Sequence, residues 1–308
     1  MQDVAYQSLL RSRREQLHAR IARALEGRFP ETAATRPELL AQHYTAAGLH
    51  DQAVNYWHQA GQRASERSAN LEAIAHLTRG LELARKFSDP MQSARQELKL
   101  LVALGEPLAG AKGHGTPEVA ATYTRALELC REVGETPHLF PTIWGLWHFY
   151  LSQGACQTAR DLADELLGLG EQQADPMLLL AAHQALGRSL YHLGEFAAAL
   201  DHLEKGRAVL ERKLDPSPHL RYAVAPGVNC MANLAQLLWC LGYPDKAVQH
   251  SREAVGSAQE LSHWPASLTP CTTRSACICS GAKPVMPTSW QRLPRRFRPS
   301  MGSRSGPR

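Results

Sequence analysis

The sequence predicts an all-α solenoid built from helix pairs, and three observations carry that expectation. Glycine is followed five residues later by alanine at Gly48/Ala53, Gly154/Ala159, Gly194/Ala199 and Gly242/Ala247, each time inside apolar helical text. A bend residue at such a place ends one helix, and a methyl-sized residue then sits where the returning helix crosses its partner too closely for anything larger. The second observation is spacing: the four alanines lie 106, 40 and 48 residues apart, which fits units of roughly 34 residues with loop insertions. The third is composition. Helix formers dominate, and an apolar content of 44% is ample for packed helices and far from the disordered class. At 308 residues the chain holds either two ordinary domains or one longer solenoid with a continuous core.

Taken in order, residues 5 to 26 place Leu9, Leu10, Leu17, Ile21 and Leu25 on one stripe, with Arg11, Arg13, Arg14, Glu15 and Arg20 largely on the other side, as in an amphipathic helix. Residues 38 to 47 form the first helix of a pair. The turn Gly48-Leu49-His50-Asp51 follows, with Asp51 as N-cap of the helix that returns. The text TRGLELAR at 78 to 85 matches TRALELCR at 124 to 131, which predicts two second-position helices starting near Asn70 and Glu118. Between them, Gly105 to Pro117 reads as a long Gly-rich loop that interrupts the stacking. Asp89-Pro90, Thr136-Pro137, Asp175-Pro176 and Asp215-Pro216 punctuate the ends of helix pairs, because proline disfavours helix for the residue before it.

The fullest repeat reads LLAAHQALGRSLYHLGEFAAALDHLEKGRAVL, with Leu186-Gly187, Tyr191, Gly194, Phe196, Ala199, Leu203 and Gly206 in the order of a tetratricopeptide repeat, which it resembles. The resemblance implies a tetratricopeptide-type α-solenoid, a right-handed superhelix whose first helices line the concave face. On that basis Trp144, His148, Gln184, Arg188, Tyr191, Asn229, Asn233, Gln236 and Trp239 are the candidates for a partner-binding groove: side-chain amides, one guanidinium and aromatic faces suited to a peptide or a domain. The alternative for each is packing plus a solvated inner face. Trp144, Trp147, Phe149 and Tyr150 form an aromatic cluster, and such stripes are more often inter-helix core. Arg188 is the only strongly basic candidate, so the lysine/asparagine clamp that some tetratricopeptide proteins use for a C-terminal carboxylate is not evident.

A wider resemblance covers residues 2 to about 268. DVAYQSLLRSRREQLHARIARALEGRFPE, PELLAQHYTAAGLHDQAVNYWHQAGQRA and NLEAIAHLTRGLELA resemble the region after the ATPase module in large bacterial signalling proteins, and LFPTIWGLWHFYLSQGACQTARDLADELL and LLWCLGYPDKAVQHSREAV continue it. In that family a class III adenylate/guanylate cyclase domain is followed by a STAND-like AAA ATPase and then by tetratricopeptide repeats. The resemblance implies that residues 1–30 are a helical remnant following an ATPase module, that 31–264 are the repeat solenoid, and that Met1 falls inside a segment that normally continues upstream.

The sequence itself carries no catalytic machinery of that family. A phosphate-cradling loop needs a lysine followed by a hydroxyl residue after a β-strand. The nearest approach, Gly105 to Lys112, has its lysine one place late and no hydroxyl after it. His43, His76, His183, His202 and His250 lie on separate helices without a metal-ligating pair such as HExxH. Cys271, Cys277 and Cys279 lack the paired spacing of a zinc site, whereas Cys130, Cys156, Cys230 and Cys240 sit in helical text where a thiol behaves as a small hydrophobe. No catalytic residue, cofactor or metal is therefore expected, and the chain reads as a non-enzymatic, cytoplasmic interaction scaffold. Its partner is expected to be a protein, a peptide or the neighbouring ATPase and cyclase domains.

Charge divides the chain. Residues 265–308 contain eight arginines and lysines and no acid, so without them a net charge of +5 becomes −3. A mildly acidic body gives no footprint for nucleic acid, and no apolar run approaches the length of a membrane span. The tail changes abruptly to Cys, Ser, Pro and Arg; from Cys271 a shifted reading frame can restore acidic residues and helical periodicity, so it reads as a disordered or frameshifted end and not as a nucleic-acid arm. A fragment of an ATPase-type transcriptional activator is the alternative reading; such arrays can end in a DNA-binding helix-turn-helix, which is not visible here.

Overall fold

A computed structural model of the chain describes residues 10–134, 137–211 and 220–260, and among the described residues there are thirteen helices and no strand. The basic tail lies outside them. Three leading helices, α1 (Arg11–Arg28), α2 (Pro30–Thr35) and α3 (Pro37–Ala46), precede ten that stack in pairs. The pairs are α4 (His50–Glu66) with α5 (Asn70–Ala84), α6 (Pro90–Lys112) with α7 (Pro117–Val133), α8 (Leu139–Ser152) with α9 (Cys156–Gln173), α10 (Pro176–Leu193) with α11 (Phe196–Glu211), and α12 (Leu220–Cys240) with α13 (Pro244–Glu260). The first helices α4, α6, α8, α10 and α12 pack on one another in succession, while the second helices have no comparable approach to each other. The first helices therefore form the inner layer of the solenoid and the second helices the outer one, the tetratricopeptide-type arrangement.

The glycine-to-alanine spacing acts locally as the sequence predicts, but α3, expected as the first helix of a pair, packs on an α4 that itself takes the first, inner position of the α4/α5 pair. Gly48, Gly154, Gly194 and Gly242 all take left-handed backbone, with φ of 72°, 77°, 82° and 86°. At each one the following residue donates its backbone N–H to the carbonyl five residues earlier: Leu49 to Tyr44, Ala155 to Tyr150, Glu195 to Leu190 and Tyr243 to Leu238. This is a Schellman closure, which satisfies carbonyls that a helix end otherwise leaves free. Ala53, Ala159, Ala199 and Ala247 are fully buried and begin the next helix by bonding back to the residue after the glycine. Asp89 and Asp175 cap α6 and α10 by accepting from the N–H groups of Met91 and Met177, each followed by a proline at the first helical position.

Three local expectations are corrected. Residues 105 to 112 are not a loop: α6 continues through Pro107 to Lys112 and stops at Gly113. The glycines there serve packing. A Cβ on Gly105 would lie 2.1 Å from the Tyr123 ring and one on Gly110 2.4 Å from Asn70, so both let neighbouring elements approach the helix. Asp51 does not cap α4, because the tight Gly48–Leu49 turn starts the helix at His50; its carboxylate instead accepts from Gln92 of α6 at 2.5 Å. In α1 only Leu25 of the leucine-rich stripe packs against the core, half-buried. Leu10, Leu17 and Ile21 are exposed, and the helix docks through fully buried Ala22 and through Glu26, which accepts from Tyr44 and Tyr56 at 2.5 and 2.7 Å. Leu9 lies outside the described residues.

The buried side chains fall into two clusters, one running from Ala22 to Leu146 and one from Phe140 to Ala247, so that α8 belongs to both. Tyr123 of α7 marks the junction. Its ring fills the space above Gly105 of α6 and Gly145 of α8, where an added Cβ would come within 2.1 and 2.2 Å of it.

Candidate functional site

The inner face of the C-terminal half is built from α8, α10 and α12. On α10, Gln184, Arg188 and Tyr191 follow one another at four- and three-residue steps, which sets them in one row along the helix. Asn229, Asn233 and Gln236 make the same row on α12. The two rows are tied together: Arg188 Nη1 donates to Asn233 Oδ1 at 2.6 Å, and Gln236 Nε2 donates to the Tyr191 hydroxyl at 3.2 Å. Tyr191 also lies 3.6 Å from Cys240 Sγ, and burial followed by that contact raises its hydroxyl to about 12. The row is consequently neutral apart from Arg188.

On α8, Trp144 and His148 complete the face. The Trp144 ring lies 5.0 Å from both Trp147 and His148, and His148 stacks on His114 at 4.7 Å. Burial, reinforced by His114 and by Arg188, pushes His148 down to about 3, so at neutral pH it carries no charge. Trp147 is fully buried and donates from Nε1 to Ser189 Oγ at 2.9 Å, anchoring α8 on α10.

The nine predicted groove residues thus lie on three consecutive inner helices, but with unequal access. His148, Arg188, Tyr191, Asn229 and Gln236 are half-buried, Trp239 is exposed at 42%, and Trp144, Gln184 and Asn233 are buried. Two of the buried amides are incompletely paired: Gln184 Oε1 and Asn233 Nδ2 are enclosed with no hydrogen-bond partner. Such groups are uncommon in native interiors and cost about 1–3 kcal/mol each when left unmet.

Sequence reasoning missed the spatial pairing of histidines. His18 meets His43 and His183 meets His202, each through Nδ1 atoms 2.8 and 3.1 Å apart. Separation in sequence by 25 and 19 residues hid both pairs. Among the described residues no group of three or more histidines, cysteines and acids converges on one point, and no helix is long and apolar enough to cross a membrane. A cleft of about 380 Å3 in the N-terminal half, bordered by Thr45, Trp57, Arg79 and Glu82, was also not anticipated. There Arg79 lies over the Trp57 ring, 5.2 Å from its centre, and the indole donates to Thr45.

Comparison with known proteins defines the class. The family model described as tetratricopeptide repeat matches residues 180–219 and 228–262, so the α10/α11 and α12/α13 pairs are tetratricopeptide repeats and the whole described array is a solenoid of that type. The chain is similar to an uncharacterized protein of Rhizobium meliloti (strain 1021), at 27% identity over 245 residues. The match takes in 79% of this chain and spans about a quarter (24%) of the relative's length. Among solved structures it is similar in fold to NprR in complex with its cognate peptide NprX, with a TM-score of 0.60 at 14% identity over 87% of this chain and 81% of that one. It is similar also to a Signal Transduction ATPase with Numerous Domains (STAND) protein with a tetratricopeptide repeat sensor from Pyrococcus horikoshii, with a TM-score of 0.53 at 14% identity over 86% of this chain and 41% of that one.

Proposed function

We propose that this chain is the regulatory repeat portion of a larger bacterial signalling protein of the ATPase and nucleotide-cyclase type, and that its inner face over α8, α10 and α12 binds an extended peptide or a segment of a neighbouring domain. The observation that carries the reading is the paired rows of amides and aromatic rings on α10 and α12, in which Arg188, Tyr191, Asn229 and Gln236 are half-buried and Trp239 is exposed. A peptide backbone offers donors and acceptors at regular spacing to side chains of this kind. The match to part of a much longer Rhizobium relative and the fold likeness to a STAND protein with a repeat sensor support the larger assembly. Binding in the groove would alter how successive helix pairs sit on one another, and that change would bias an output domain.

The experiment is selection of binders from a displayed random-peptide library on the full chain, followed by hydrogen exchange of the complex. Protection concentrated on α8, α10 and α12 is the expected result. Failure to select any binder, or protection confined to the outer helices, contradicts the reading. For the larger assembly the check is the genomic DNA flanking the reading frame, where ATPase and cyclase coding sequence is expected.

A further inference from the structure

The leading helix α1 carries six arginines and two glutamates. Both acids are already engaged. Glu15 pairs with Arg11 at 2.9 Å, and Glu26 accepts from Tyr44 and Tyr56. Arg13, Arg20, Arg23 and Arg28 are exposed and make no ion pair among the described residues. Other exposed basic residues of the N-terminal half do close on acids, as Arg36 does on Glu38, Arg67 on Glu72 and Lys112 on Glu118. The positive charge of α1 is therefore left without a counterpart inside the chain.

The second observation is independent of the charge. Leu10 is 77% exposed, Leu17 37% and Ile21 42%. Leu17 and Ile21 are one turn apart and Leu10 lies two turns before Leu17, so the three form one line, about 16 Å long at the helical rise per residue. Arg13 and Arg20 follow Leu10 and Leu17 by three residues each and make a parallel row beside that line. The opposite side of the helix is spoken for: Ala22 is fully buried, Leu25 is half-buried against the core, and His18 meets His43. An exposed apolar line with an uncompensated basic row along it has the make-up of a contact surface.

We infer that α1 is a docking surface for an amphipathic helix of another protein, whose apolar stripe lies on Leu10, Leu17 and Ile21 and whose acids face Arg13 and Arg20. Charge selects this occupant. A second copy of α1 sets arginine against arginine, and residues 265–308, with eight basic residues and no acid, repeat the mismatch. An anionic bilayer meets the charge but not the shape: three apolar residues in single file, with Arg28 seven residues after Ile21 in the same line, offer it little to bury, whereas interfacial helices bury a broad apolar face. Three turns of a helix match the line in length, and acids seven residues apart on it stand opposite Arg13 and Arg20. This surface is separate from the inner face over α8, α10 and α12, and neither reading depends on the other.

The test is selection from a displayed library of helical peptides, with leucine fixed along one stripe and every other position randomised. It is run on the full chain and on two variants, Arg13→Glu/Arg20→Glu and Leu17→Ser/Ile21→Ser. Wild-type binders are expected to share Asp or Glu at two positions seven residues apart and to protect α1 from hydrogen exchange. Arg13→Glu/Arg20→Glu is expected to bind them about 30-fold or more weakly and to select Lys or Arg at the same two positions. Leu17→Ser/Ile21→Ser is expected to weaken them about 100-fold or more, as two apolar side chains no longer bury. Binders without that acidic register, or with protection away from α1, overturn the inference, and so does a selection that yields none. Sedimentation of the chain with vesicles of phosphatidylcholine and phosphatidylglycerol, lost in Leu17→Ser/Ile21→Ser and unaccompanied by helix binders, overturns it in favour of a membrane surface. All four substituted side chains are exposed, so the three proteins are expected to unfold at the same temperature, which separates lost recognition from lost folding.

Discussion

The two halves of this solenoid use one architecture for opposite ends. In the N-terminal half acids are spent within the chain: buried Glu97, at 8% exposure, lies between Arg85 of α5 and Arg125 of α7 at 3.3 and 3.4 Å, and the exposed Glu26 gathers Tyr44 and Tyr56 to fix α1 on α3 and α4. In the C-terminal half the inner helices carry no acid, one described guanidinium and two amide atoms without partners. Unmet buried atoms occur in both halves, at Arg63 Nε, His76 Nδ1 and Gln96 Oε1 as well as at Gln184 and Asn233, so what separates the inner faces is the absence of acids from the C-terminal one. Polar groups closed on each other stabilise the stack, whereas Arg188, Tyr191, Asn229 and Gln236 of the C-terminal inner face are only half-buried and are the groups proposed to meet a ligand.

The largest test of this division is at the seam. Tyr123 packs on Gly105 and Gly145 and links the two buried clusters. Replacing it by alanine is expected to cost about 3–5 kcal/mol, the usual penalty for removing a large buried ring. Because each repeat touches only its neighbours, the loss should also split a single unfolding transition into two, read by calorimetry. An unchanged single transition would mean that the halves are coupled elsewhere. Within the N-terminal half, Glu97→Ala is expected to lower stability by about 1–2 kcal/mol in urea titration. That is less than a fully buried pair costs to break, because the Arg85 and Arg125 side chains, 62% and 45% exposed, recover water.

A smaller and pH-dependent difference concerns His148. Its ordinary value near 6.5 is restored on unfolding, whereas burial, with His114 and Arg188 alongside, holds it at about 3 in the fold. Between those limits the unfolded chain takes up a proton that the folded chain refuses, so the contribution of His148 is constant above about pH 6.5 and falls as the solution is acidified toward pH 3. His148→Gln should therefore show a shallower drop in urea midpoint than wild type between about pH 7 and pH 4.5. In the N-terminal half His58, lowered to about 4 by burial and by Lys99 and His138, retains its own share of the acid sensitivity. Equal pH profiles for wild type and His148→Gln would place the sensitivity outside the groove.

What the sequence made legible follows the same division between periodic and non-periodic features. The four glycine–alanine turns and the second-position helices at α5 and α7 could be read because each repeats a local requirement, a left-handed residue or a small one, at fixed spacing. The rows on α10 and α12 followed from helical periodicity and the inner position implied by the repeat. The continuation of α6 through Gly105, Pro107 and Gly110 could not be read locally: those residues signal a loop by propensity, and only their packing against Tyr123 and Asn70 explains them as helix. The α1 stripe misled for a related reason, since Glu26 and Ala22 fix its docking through tyrosines 18 and 30 residues away from the carboxylate. The unmet atoms of Gln184 and Asn233 are properties of three-dimensional pairing and have no sequence signature.

The finest distinction between the halves is the sign of a stability change. If the Arg188–Asn233 pair is kept for a ligand, removing it should not weaken the fold. The double variant Arg188→Met/Asn233→Leu takes away an under-compensated cation and a buried unpaired Nδ2 together, and replacing both partners of such a pair by apolar groups is close to neutral or stabilising. Its expected effect in urea titration is between no change and a gain of about 1 kcal/mol, with peptide binding lost. The matching apolar replacement of Glu97 and Arg85 is expected to give no such gain, because Arg125 then loses one of its two acidic partners and keeps only Glu128. A destabilisation of about 2 kcal/mol or more in the Arg188→Met/Asn233→Leu protein would show that the pair serves the fold. The two inner faces would then differ in composition but not in purpose.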